Sequence, residues 1–138
     1  MANYIGNLQN KNGDLLFPID MEVIENDNGT ALKFSNGVMI CTMIKSCQFD
    51  MTTGIAWGPL YVWTNSDRIY YPQKFIDIPT IHISEYQDTT STSNILLNYD
   101  KPIITTDYYQ NVAICRPNLS SNNNGNVNFS FIAIGKWK

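Results

Sequence analysis

Val127-Asn128-Phe129-Ser130-Phe131-Ile132-Ala133-Ile134-Gly135-Lys136-Trp137-Lys138 is the stretch that decides how the rest of the chain must fold. Odd positions read Val, Phe, Phe, Ala, Gly, Trp, and even positions begin Asn, Ser before turning to Ile, Ile, Lys. Successive side chains of a strand point to opposite faces, so the odd set lines one face that needs burial along its whole length. The even face starts wet and becomes apolar at Ile132 and Ile134. A strand with two apolar faces needs cover on both sides. Two covers are open: a loop of the same chain, or another copy of it. The second gives a homo-oligomer of antiparallel β-sandwiches with this strand at the subunit interface.

Val38 to Ile44 repeats the pattern, with Val38, Ile40 and Ile44 on one face and Met39, Cys41 and Met43 on the other. The run from Val38 to Phe49 is therefore the expected neighbour of the final strand. Ser35-Asn36-Gly37 joins it to a short strand at Ala31-Leu32-Lys33-Phe34, because Asn-Gly accepts the positive φ of a hairpin turn. Further short strands are expected at Leu60–Trp63, Thr80–Ser84 (Ile81 and Ile83 inward), Ile95–Tyr99, Pro102–Thr105 and Gln110–Arg116. Arg68 to Pro79 reads as an irregular, proline-bracketed crossover, and Leu119 to Asn126 as a polar tip. Residues 1–27, rich in Asn and Gly, read as a leader or connector, within which Met21–Glu25 could be a short strand or one helical turn. The β-sandwich domain then spans residues 28–138.

The totals restrict the chemistry. A chain of 138 residues is one domain with room for a real core. Charged residues make up only 15%, and Asn, Ser and Thr supply the polarity instead, which suits a surface meeting neutral ligands such as sugars or one that is merely sturdy. A net charge of −3 without a Lys/Arg cluster argues against nucleic acid. Apolar runs fall far short of the ~20 residues of a membrane helix, and Met1-Ala2-Asn3-Tyr4 lacks the basic start of a secretory signal, so no membrane insertion is expected. Cys41, Cys47 and Cys115 are odd in number and two lie in apolar runs; they read as small core residues of a protein folded in a reducing cytosol. Cys41 and Cys47 share one strand face about 20 Å apart, too far to bridge.

Catalytic constellations are nearly absent. His82 is the one histidine, and it alternates away from Ile81 and Ile83; a passive, half-exposed strand residue competes with a threefold metal site or a ligand contact. Metal-binding, Walker and dinucleotide motifs are missing, so no enzyme, resident metal or cofactor is expected. Aromatic crowding is the more suggestive feature: Trp57, Tyr61, Trp63, Tyr70 and Tyr71 lie close together, with Asn65, Asp67 and Arg68 among them. Such rings offer a flat apolar face with a polar edge, as a sugar requires, although core packing explains most of them equally well.

At this point several phrases resemble a known family. Asn28-Gly29-Thr30-Ala31-Leu32-Lys33-Phe34-Ser35-Asn36-Gly37-Val38-Met39-Ile40-Cys41 is similar to the opening of the C-terminal domains of bacteriophage tail fibres and receptor-binding proteins. Trp57-Gly58-Pro59-Leu60-Tyr61, then Tyr71-Pro72-Gln73-Lys74-Phe75-Ile76-Asp77-Ile78-Pro79-Thr80-Ile81, resembles that family's centre, and Phe131-Ile132-Ala133-Ile134-Gly135-Lys136-Trp137 its close. The centre and close are also similar to H-type lectins. The resemblance covers about residues 28–138 and implies a homotrimer at a fibre tip, in the virion and assembled in the host cytoplasm. It further implies a non-enzymatic module that binds a host cell-surface glycan and attaches to an upstream tail-fibre or baseplate protein. No sugar-binding residue of the lectins maps onto this chain position by position. The expected contacts therefore come from its own loops: Trp63, Asn65, Asp67, Arg68, Tyr86 and Asp88. The rival expectation is a structural trimerisation or baseplate-connector domain with no ligand.

Overall fold

The computed structural model describes residues 8–9, 15–17, 21–50, 52–86, 95–97, 102–116 and 125–138. In chain order the strands are β1 (Leu8–Gln9), β2 (Leu15–Phe17), β3 (Met21–Asn26), β4 (Gly29–Phe34), β5 (Val38–Phe49), β6 (Ile55–Trp57) and β7 (Leu60–Asn65). There follow β8 (Ile69–Tyr70), β9 (Thr80–Tyr86), β10 (Ile95–Leu97), β11 (Ile103–Ile104), β12 (Tyr108–Gln110), β13 (Val112–Arg116) and β14 (Gly125–Lys136). The fold is all-β, with no helix among the described residues and antiparallel pairing throughout its sheets.

The main sheet has five strands in the order β3-β4-β5-β14-β9. β14 pairs with β5 along its whole length, from Gly125 opposite Phe49 to Lys136 opposite Val38. Their shared alternation produces this register, because a slip of one residue would turn both buried faces to water. β3 extends the sheet beyond β4, so pairing starts at Met21, ahead of the domain boundary expected at 28. Met21–Glu25 is strand, not a helical turn. The β4–β5 turn is the expected hairpin: Gly37 has φ 91° and its N–H donates to the Phe34 carbonyl at 3.0 Å.

Two further sheets, β10-β13-β7-β6 and the smaller β11-β12-β8, supply core residues together with Tyr71 and Phe75 of the crossover after β8, while β1 and β2 form a two-stranded ribbon. Gln110–Arg116 is not one strand, as the alternation suggested. Asn111 sits at φ 70°, a conformation Asn tolerates better than most residues, and the break sends β12 to one sheet and β13 to the other. One core draws on all three sheets: Phe129, Phe131, Met39 and Cys41 from the five-stranded sheet, Trp63, Val112 and Ile114 from the four-stranded, and Ile69 and Tyr109 from the three-stranded. Edge-on and tilted aromatic contacts run through it, with Phe131 5.7 Å from Tyr109 and 6.3 Å from Phe129 between ring centroids.

The crossover expected between Arg68 and Pro79 is irregular apart from β8, yet its backbone is well paired. Tyr71 N–H donates to the Asp107 carbonyl, Phe75 N–H to Thr106 and Ile76 N–H to Lys136, each at 2.9–3.0 Å. The chain end is tied down too: Trp137 Nε1 donates to the Phe34 carbonyl at 2.9 Å, and Lys33 Nζ lies 4.1 Å from its ring centroid while reaching Glu22 at 2.9 Å.

Cys41, Cys47 and Cys115 are free and buried, and Cys41 and Cys47 share the inner face of β5. Burial pushes the Cys41 and Cys47 thiols up to about 11, the charge of Asp67 adding to the effect at Cys47. Unfolded thiols ionise near 9 and the folded ones resist, so their stabilising effect is complete below pH 9 and is lost as pH rises towards 11. Thermal melts at pH 8 to 11 should show a falling midpoint whose slope is reduced in a Cys41→Ala/Cys47→Ala variant; equal slopes would show that the thiols ionise freely in the fold.

Candidate functional site

Five-stranded and four-stranded sheets meet at one end around a cleft of about 490 Å³. Gln48, Phe49 and Asp50, where β5 runs out, form one side. Thr53 contributes from the following turn, and Ile55 with Val62, Trp63 and Thr64 comes from the paired strands β6 and β7. Asp50 organises the turn: its Oδ1 accepts from Thr52 N–H at 3.0 Å and Thr52 Oγ1 at 2.6 Å, and its carbonyl accepts from Thr53 N–H at 3.2 Å. The turn then lies directly on an indole. A Cβ on Gly54 would fall 2.5 Å from Trp63 Cε2 and 2.9 Å from Nε1, so only glycine lets the backbone come this close.

Asn65 ties the two strand ends together. Its Nδ2 donates to the Gln48 carbonyl at 3.1 Å and to Asp67 Oδ2 at 3.2 Å, and its Oδ1 accepts from Asp67 N–H at 2.9 Å. With both amide protons and the oxygen engaged, Asn65 braces the cleft. Trp63 is 4% exposed and belongs to the core while lining the cleft. Its Nε1–H is buried without a hydrogen-bond partner, one of two such side-chain groups among the described residues; the other is the Tyr71 hydroxyl. A buried donor left unpaired costs about 1–3 kcal/mol and calls for an explanation.

No family model, curated protein or solved structure matches this chain.

The remaining expected contacts are dispersed. Arg68 is exposed, with its guanidinium carbon 4.8 Å from the Tyr108 ring centroid, and a hydrogen bond to Tyr70 raises its already high pKa. Tyr70 and Tyr108 meet edge-on at 5.7 Å, so these three side chains make an aromatic and cationic platform at the three-stranded sheet. Asp67 is exposed beside the Asn65 brace. Tyr86 is described only through its backbone, which pairs with Asn128, and Asp88 lies outside the described residues. Gln48, Asp50, Thr53, Ile55 and Thr64 were missed by sequence reasoning. Asp50 followed by Thr52, Thr53 and Gly54 after a long strand was the available signal, since Asp and Thr favour side-chain-bonded turns that return the chain. His82 is exposed opposite Ile132, and no group of three or more His, Cys, Asp or Glu among the described residues is placed to hold a metal.

A second surface stands out on the outer face of the five-stranded sheet. Residues directly opposite share a face, so Val23, Leu32, Ile40 and Ile134 form one aliphatic row across four strands. Ile132 and Ile44 extend it, and Ile44, Ile132 and Ile134 are 69%, 37% and 46% exposed. Aliphatic rows on an exposed sheet face are characteristic of protein interfaces.

Proposed function

We propose that this chain is a non-enzymatic host-recognition module, a homotrimer of β-sandwiches at the tip of a bacteriophage tail fibre. Its outer sheet face packs against the other copies, and its exposed loops bind cell-surface saccharide. The observation that carries the reading is the exposed aliphatic row of β14 and β5, with Ile44, Ile132 and Ile134 turned away from the chain's own core. Burying it would use the hydrophobic effect at about 25 cal/mol per Å², and three linked copies would make weak saccharide sites adhere through avidity. The core shared by residues from all three larger sheets supports the sandwich, and the resemblance of residues 28–138 to tail-fibre tips supports the location. Attachment to an upstream fibre or baseplate protein runs through the residues ahead of β3 in this reading.

Light scattering on a sizing column should give the mass of three chains. The trimer should bind bacterial cells saturably, in competition with their surface polysaccharide. A stable monomer would remove the basis of the proposal. A trimer that binds neither cells nor a glycan array would instead assign the chain a purely structural, connecting role.

A further inference from the structure

The cleft at the ends of β5 and β7 has the size of a ligand site but a particular chemistry. Its volume of about 490 Å³ falls within the range of roughly 300–1,000 Å³ common to small-molecule pockets. Phe49, Ile55, Val62 and Trp63 make its lining partly apolar, and Gln48, Thr53 and Thr64 bring neutral hydrogen-bonding groups. The lining contains one carboxylate, Asp50, and no Lys, Arg or His among the described residues. A phosphate, sulfate or uronic acid would therefore meet the wrong sign of charge. A purely apolar ligand would leave the polar lining dry and the Trp63 Nε1–H still unpaired. What satisfies all of these groups is an uncharged molecule with a C–H surface and several oxygens.

We propose that this cleft binds a single uncharged sugar residue, one of whose oxygens accepts a hydrogen bond from the Trp63 indole N–H. The indole edge bearing that N–H lies under the Gly54 backbone, so the turn at residues 52–54 shifts to admit the sugar oxygen. Residues 52–54 lie between β5 and β6 and belong to no strand, so a shift of the turn breaks no sheet pairing. Asn65 keeps the two strand ends at the spacing the cleft needs, through the Gln48 carbonyl. This inference rests on the saccharide-recognition reading and adds where on the chain a sugar sits and which sugars it excludes.

The test is a titration of the ¹⁵N-labelled full chain followed at its three indole N–H resonances, assigned through the backbone. The probes are glucose, galactose, rhamnose and N-acetylglucosamine, with glucuronic and sialic acids as charged comparisons. A neutral sugar should shift the Trp63 resonance saturably while the acids do not. Gln48→Ala with Thr64→Val, both exposed positions, should weaken that response about tenfold, as the loss of one to two hydrogen bonds requires, while backbone resonances away from the cleft stay in place in sugar-free protein. A Trp63 resonance that no neutral sugar moves, or that an acid moves first, overturns the assignment. If glycan-array and cell binding survive in that case, recognition occurs elsewhere on the chain and only the cleft is lost. If they are absent as well, the recognition reading fails with it.

Discussion

Phe131→Ala should cost about 3–5 kcal/mol, a large share of the roughly 5–15 kcal/mol that keeps a domain folded. Phe131 is fully buried in β14, the fourth of five strands in its sheet, with Met43 of β5 on one side and Ile83 of β9 on the other. Its ring also meets Phe129 of the same strand and Tyr109 of the three-stranded sheet, so truncation opens a cavity where two sheets join. Strands held by long ladders on either side cannot collapse into that space, which places the cost toward the upper end of the range. Urea titration should show a lower midpoint with an unchanged slope, the sign of lost stability in an otherwise similar fold. Phe131→Leu, which keeps most of the volume, should cost clearly less. A loss below about 1 kcal/mol for the alanine variant would mean that the sheets do not share this core.

The elements that the sequence made legible are those whose local pattern and tertiary burial agree. β5 and β14 alternate so regularly that their pairing and inner faces follow from the residues alone, and Asn36-Gly37 announces the hairpin that feeds β5. Ile81 and Ile83 pack against the core and His82 faces outward for the same reason. Legibility failed where the outcome depended on a distant partner. Ile55–Trp57 is absent from the strands the residues suggest, because only the ladder with Leu60–Val62 makes it one. Met21–Glu25 could be a short strand or one helical turn as far as its own residues go, and pairing with β4 decides for the strand. Trp63 and Asn65 carry the right chemistry for a sugar contact, and tertiary packing gives them different settings: Trp63 lies in the core with its indole N–H unpaired, while Asn65 commits its amide to Gln48 and Asp67. The cleft itself joins residues whose proximity arises from that brace, a contact that no spacing rule encodes.

Ile132→Lys with Ile134→Lys should convert the proposed trimer into folded monomers. Both side chains leave β14 on the face opposite Phe131 and Ala133, so the core should scarcely register the change and far-UV circular dichroism should be retained. At an interface the effect is large: two apolar contacts per subunit disappear, and two ammonium groups must be desolvated where the neighbouring residues, Thr42, Ile40, Thr80 and His82, offer no carboxylate. Several kcal/mol per subunit corresponds to about 10³-fold or more in association, which light scattering across a dilution series would resolve. Cell binding should fall by a further measure of avidity, about 10²–10⁴-fold, even though no loop has been altered. Ser84→Lys, on the same face and in register with Ile44 across Ser130, should weaken assembly less, since no apolar side chain is lost. Residues 131 and 132 are covalent neighbours, yet changing one should undermine folding while sparing the surface, and changing the other should abolish assembly while sparing the fold. An Ile132/Ile134 variant that unfolds would place both faces of the strand in the chain's own core. One that still assembles would place the subunit contact elsewhere, and either result removes the outer sheet face from the account of how this protein attaches.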